Sequence, residues 1–146
     1  MKAIPFARPA FRASLALAAL VTAACPSPFG VDTERRRAVI ELGDEAPEVE
    51  VPATAAAGAP FTVKITSYGG GCIRAGRTEV SVSGSVATVE PYQIIEKREI
   101  CTADLRIEVN TASIRFDTPG PAKVVFRGLN DAANEVITVE RTVQVQ

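Results

Sequence analysis

The sequence predicts an all-β domain, an antiparallel sandwich of about 7–9 strands, behind a separate N-terminal helical segment. Three observations carry that prediction. From residue 36 onward, apolar and polar residues alternate with period two in one run after another, as on half-buried strands. Clusters of Gly, Pro, Ser and Asn separate the runs at spacings of about ten residues, which leaves no room for helices between them. No stretch beyond residue 35 combines a helical apolar period with caps.

The N-terminal segment reads differently. Lys2, Arg8 and Arg12 open the chain without an acidic residue, an apolar stretch follows from Ala13 to Ala23, and small residues close it. The stretch is shorter than the ~20 residues needed to span a bilayer. A basic, an apolar and a small-residue zone in that order form a secretory signal peptide, here residues 1–24. Pro5 and Pro9 before the stretch, and Pro26 and Pro28 after it, oppose a buried helix of the domain.

Thr22-Ala23-Ala24-Cys25 resembles the lipobox of bacterial lipoproteins, departing from it at Thr22, where that class usually has Leu. The resemblance implies cleavage before Cys25, a diacylglyceryl group on its thiol, and a membrane contact made through that lipid. Ordinary cleavage that leaves Cys25 a thiol is the alternative. The implied location is the cell envelope, on the periplasmic side or the cell surface. Pro26 stands where the class places an Asp to retain proteins at the inner membrane, which favours an outer membrane where one exists. Residues 25–35, rich in Pro, Ser, Gly and Asp, read as a tether. Arg35, Arg36 and Arg37 read as a solvated strand start, with contact to anionic headgroups as the alternative.

The domain then occupies residues 36–146. Ala38, Ile40 and Leu42 form the first apolar face, Val49 and Val51 the next, and Phe61, Val63 and Ile65 a third. Val80 and Val82 precede Ser83-Gly84-Ser85, a turn signal that points to a hairpin with the following Val86-Ala87-Thr88-Val89. Leu105, Ile107 and Val109 form another run, after which the apolar face passes to Ala112, Ile114 and Phe116 in the opposite parity. One regular strand cannot keep both sets on one face, so a bulge or break is expected near Asn110-Thr111. Beyond Pro119-Gly120-Pro121, Ala122, Val124 and Phe126 line a strand. Gly128 to Asn134 reads as a loop, and Ile137, Val139, Val143 and Val145 line the last strand. The core is expected from Phe61, Val63, Ile65, Val80, Val82, Ala122, Val124 and Phe126.

The three cysteines are Cys25, Cys72 and Cys101. With Cys25 lipidated, an even pair remains in an oxidising compartment, and a structural Cys72–Cys101 disulfide is expected. Gly69-Gly70-Gly71 reads as a flexible lead into Cys72. The disulfide would gather Arg74, Arg77, Lys97 and Arg98 at one end of the domain as an anion-binding tip. Glu79, Glu96, Glu99 and Asp104 lie in the same segments, so an internally paired rim is the competing expectation.

Residues 1–24 hold three basic groups and no acidic one, so the remainder carries a net charge of −4, and nucleic-acid binding is not expected. With no histidine in the chain, Ser-His-Asp and Cys-His sites are excluded and the usual zinc ligand sets are lacking. No catalytic residue, metal or cofactor is therefore expected. A carboxylate pair drawn from Glu79, Glu90 and Asp104 remains as a hydrolase alternative. Asn130 to Glu135 offers oxygen ligands without the spacing of a calcium loop, and reads better as a polar hairpin turn.

"AGAPFTVKITS" and "FDTPGPAKVVFRG" resemble the early strand and the turn before the final hairpin of bacterial immunoglobulin-like modules. The resemblance covers about a quarter of the chain after Cys25. It implies an immunoglobulin-like sandwich, without the antibody-type core disulfide and its tryptophan. The function expected is a lipid-anchored, non-catalytic binding or structural module for an envelope protein or ligand, with residues 68–77 and 95–104 as the contact end. An accessory subunit of an envelope complex is a further alternative, which requires an exposed apolar patch or an unpaired edge strand.

Overall fold

The structure is a computed structural model that describes residues 30–146. The segment read as a signal peptide, Cys25 and most of the tether lie outside the described residues. The described part contains ten strands and no helix: β1 (Thr33–Arg37), β2 (Val39–Glu41), β3 (Val49–Glu50), β4 (Thr54–Ala55), β5 (Pro60–Gly69), β6 (Ile73–Ser83), β7 (Val86–Glu96), β8 (Arg106–Arg115), β9 (Gly120–Asn130) and β10 (Val136–Val145). The all-β class expected from the alternation is the class that forms.

The strands make two facing runs. One is β6-β7-β9-β10-β4, and the other is β8-β5 with β3 on the far edge of β5. β1 covers the second half of β7, and β2 pairs with both β5 and β9, joining the runs into one unclosed sheet. Period-two geometry turns Val63 and Ile65 of β5, with Ala112 and Ile114 of β8, toward Ala87, Val89, Val124, Phe126 and Val143 of the other run, and all are buried in one cluster. Full burial of each Val, Ile or Phe side chain contributes about 1.5–3 kcal/mol. Phe61 and Phe116 meet at one end of this core, with ring centroids 5.9 Å apart.

The pairing is mixed, which corrects the expectation of a wholly antiparallel sandwich. β2–β9, β7–β9 and β4–β10 are parallel, and the other ladders are antiparallel. The chain leaves β7, forms β8 against β5 in the opposite run, and returns as β9 beside β7. A crossover of that kind produces parallel neighbours, whereas a hairpin produces antiparallel ones. The expected hairpin joins β6 to β7, with Ser83 opposite Val86 and Gly84 at φ +58° in the two-residue loop.

Four local expectations are overturned. β8 has no bulge at Asn110-Thr111: its ladder with β5 runs unbroken from Pro60 opposite Arg115 to Gly69 opposite Arg106. Leu105, Ile107 and Val109 are consequently 60–65% exposed, and Glu108 and Asn110 take the inward positions. The interior is polar at that end. Asn110 Nδ2 donates to Ser67 Oγ at 2.8 Å, and Glu108 Oε1 accepts from the Ala75 N–H at 3.3 Å. Asn110 is partnered there, while Glu108 has a partner for Oε1 only and its Oε2 is buried without one, so the inward turn of Glu108 is only partly compensated.

Val80 and Val82 share the inward parity of Val89 and Ala87 but are 38% and 46% exposed. β6 pairs only with β7, so among the described residues it is an edge strand whose other side has no paired strand. The Gly128–Asn134 loop is shorter than expected, because β9 continues to Asn130. Finally, Gly69-Gly70-Gly71 is not a loose lead-in. A Cβ on Gly70 (φ +140°) would meet the Asp104 carbonyl oxygen at 1.8 Å, and one on Gly71 (φ +58°) would meet the Thr102 carbonyl oxygen at 2.6 Å. Glycine is required there by close backbone approach as well as by φ.

Candidate functional site

That close approach builds the main cleft. Residues 101–105 cross the glycine turn and are fastened to it twice. The first fastening is covalent, the expected Cys72–Cys101 disulfide, with Cα atoms 5.3 Å apart. The second is Asp104, whose carboxylate accepts from the Thr102 hydroxyl, the Gly71 N–H at 3.0 Å and Arg106 Nε at 2.9 Å. The Thr102 hydroxyl, then the Gly71 N–H, then Arg106 hold the Asp104 pKa down at about 2. An acid held that low carries no proton to donate at neutral pH.

Between this clasp and the start of the domain lies an open cleft of about 830 Å³. Val39, Leu42, Tyr68, Ile73, Ile95 and Leu105 supply apolar wall. Behind it, Gln93 is fully buried and ties three strands together, with Nε2 donating to the Tyr68 carbonyl at 2.6 Å and Oε1 accepting from the Val39 N–H at 3.4 Å. The chain enters the domain beside this cleft, where the Lys97 N–H donates to the Asp32 carbonyl at 2.8 Å and Lys97 Nζ lies 3.4 Å from the Asp32 carboxylate.

Three of the four cations read as a binding tip reach this end, and each has an acidic partner. Arg74 Nε and Arg98 converge on Glu96 at 3.2 and 2.7 Å. The Arg98 hydrogen bond is the main cause that lowers the Glu96 pKa. Lys97 faces Asp32 and Glu34. Arg77 is elsewhere: it falls where the β6–β7 register shifts between Ala75 and Thr78, and it lines a separate groove with Glu79 and Glu90.

Glu79 and Glu90 stand directly opposite each other on β6 and β7. Arg35 pairs with Glu79 while its guanidinium lies 3.6 Å from the Tyr92 ring centre, and Glu90 receives Arg37 at 3.1 Å and Arg127 at 3.6 Å. Arginines thus offset the repulsion of two facing carboxylates. Asp104 lies in the clasp, so the three acids do not share one site.

The turn at Asn130 is closed by its own side chain. Oδ1 accepts from the Ala133 N–H, and Nδ2 donates to Glu41 Oε2, both at 2.7 Å. Among the described residues no group of three His, Cys, Asp or Glu side chains is placed to hold a metal ion.

One cleft residue was indistinct in the sequence. Arg36 sits in a run of three arginines, and only pairing separates it from its neighbours. It lies opposite the buried Gln93, on the inward parity, while Arg35 and Arg37 lie on the outer face with their acids. Comparison with known proteins adds no assignment: no family model, curated protein or solved structure matches this chain.

Proposed function

We propose that this chain is an exported, lipid-anchored and non-catalytic binding module of the cell envelope, with its ligand site in the cleft at the disulfide-bonded end. The observation that carries the reading is the cleft itself. Its volume of about 830 Å³ falls within the range of small-molecule sites, ~300–1,000 Å³, and its wall combines apolar surface with a few polar groups, as such sites do. The disulfide and the Asp104 clasp hold one wall in place before any ligand arrives, which reduces the ordering cost of binding. Lipidation of Cys25 would keep the cleft near the bilayer, because the chain from Cys25 to Asp32 reaches at most about 25 Å.

Two measurements test the reading. Wild-type protein should partition with membranes and carry acyl mass at Cys25, and Cys25→Ser should release it; a soluble, unacylated wild type refutes the anchor. The neutral apolar probe N-phenyl-1-naphthylamine should bind the mature chain and be excluded by Leu42→Arg in a variant that remains folded. Absence of probe binding refutes the cleft as a ligand site.

A second reading, an accessory subunit of an envelope complex, draws on a separate observation. β8 pairs only with β5, so one of its edges lacks a ladder. Its outer face carries Ile107 and Val109, with Leu105 just before the strand, all 60% or more exposed. Ile107→Lys with Val109→Lys should abolish co-purification with an envelope partner while leaving probe binding intact.

A further inference from the structure

We infer that the cleft takes a single-headed apolar acid, a fatty acyl carboxylate, with its head on Arg36 and its tail along the apolar wall. This rests on the cleft being a ligand site and goes further by naming the ligand's chemistry.

The argument begins with parity. β1 pairs antiparallel with β7 so that Arg35 faces Ile94, Arg36 faces Gln93 and Arg37 faces Tyr92. Gln93 is fully buried, so Arg36 is directed to the inward side of the sheet while its two neighbours lie outside. The outer two have carboxylate partners, Glu79 and Glu90. Arg36 has no carboxylate within 4 Å among the described residues, and its Nε is buried without a hydrogen-bond acceptor. A buried, unpaired N–H on a charged group is unfavourable, and it is relieved by an acceptor of opposite charge. A guanidinium meets a carboxylate in a two-pronged geometry, and the pair strengthens where water is excluded.

The other cleft cations are not available in the same way, since Lys97 and Arg98 already have acidic partners. The cleft's own acids define which anion fits. Glu96 and Asp104 are engaged by Arg98, Arg74 and Arg106. Glu99 and Asp131 lie on the exposed rim with no cation within 4 Å among the described residues. The single unpaired guanidinium of Arg36 neutralises a monoanion, whereas a dianion would leave a second, uncompensated charge in a cleft whose Glu99 and Asp131 have no cation of their own among the described residues. The site therefore favours a carboxylate over a phosphate monoester. The apolar side chains of the wall, Val39, Leu42, Ile73, Ile95 and Leu105 among them, suit an alkyl tail.

The test uses the mature, oxidised chain carrying Cys25→Ser, so that no acyl anchor of its own competes for the cleft. Laurate, dodecanol and dodecyl phosphate are titrated against bound N-phenyl-1-naphthylamine. Laurate should bind at least tenfold tighter than dodecanol and tighter than dodecyl phosphate, and Arg36→Gln should erase the laurate–dodecanol difference while dodecanol binding persists. Should Arg36→Gln fail to fold, the Arg36 Nε–H resonance of the Cys25→Ser chain supplies the same answer: it should shift with laurate and stay in place with dodecanol. Equal binding of laurate and dodecanol, an unmoved Arg36 resonance, or preference for dodecyl phosphate overturns the inference but leaves the cleft as an apolar site. If neither the probe nor any of the three amphiphiles binds, the cleft reading itself fails.

Discussion

Strand β8 offers the sharpest test of the architecture, because it carries two isoleucines of opposite fate. Ile114 is 1% exposed and Ile107 is 65% exposed, on one unbroken ladder. Replacing each with Thr retains β-branching, so strand propensity is nearly matched and burial decides the difference. Ile114→Thr removes fully covered carbon from the core, about 1.5 kcal/mol of transfer free energy, and leaves a cavity. It also buries a hydroxyl among apolar neighbours, at about 1–3 kcal/mol. The total expected is about 3–4 kcal/mol. Ile107 has only a third of its side chain covered, and Thr retains part of that contact, so Ile107→Thr should cost less than about 0.5 kcal/mol. Equilibrium urea unfolding of the oxidised domain, followed by circular dichroism, measures both. The midpoint should fall sharply for Ile114→Thr with little change in slope, and barely move for Ile107→Thr. Equal costs would refute the reasoning, since they would mean that a bulge at Asn110-Thr111 returns Leu105, Ile107 and Val109 to the interior.

Three further outcomes follow from the clasp. Reducing Cys72–Cys101, which closes a loop with a sequence separation of 29, should lower stability by about 3.5 kcal/mol on the chain-entropy account, measured by urea unfolding with and without reductant. Gly70→Ala should cost on the order of 2–3 kcal/mol or more, because it adds a Cβ 1.8 Å from the Asp104 carbonyl oxygen at a φ of +140°; Gly84→Ala, with open space around the site, should cost about 1–2 kcal/mol, from φ alone. The Asp104 pKa is depressed from 3.8 to about 2, so its stabilising effect is fully present above about pH 4 and lost as pH falls toward 2. Asp104→Asn should flatten the stability–pH curve across that window, and an unchanged acid limb would refute its role in the clasp. Glu96, lowered chiefly by Arg98, contributes in the same direction, so part of the limb should survive in Asp104→Asn.

Local pattern was enough to place the strands and the disulfide. Alternation around Val63, Val89, Val124 and Val143 marks strands because side chains on a pleated chain point to alternate faces, a property each segment carries within itself. The hairpin at Gly84 is equally local, and the Cys72–Cys101 bond followed from cysteine parity once Cys25 was set aside. Which face becomes interior is a different kind of fact. Val80 and Val82 have a perfect apolar alternation and remain partly exposed, on an edge strand that pairs only with β7. Glu108 and Asn110 turn inward because the unbroken ladder with β5 sets their parity, and Ser67 and Ala75 supply partners from other strands for Asn110 and for one Glu108 oxygen. Gly69-Gly70-Gly71 gives no sign of its role until residues 101–105 cross it, and Arg36 is indistinguishable from Arg35 and Arg37 until β7 pairs with β1. Period two records only that residues share a face. Burial, close approach and an unpaired charge are relations between segments distant in the chain, and only their packing decides them.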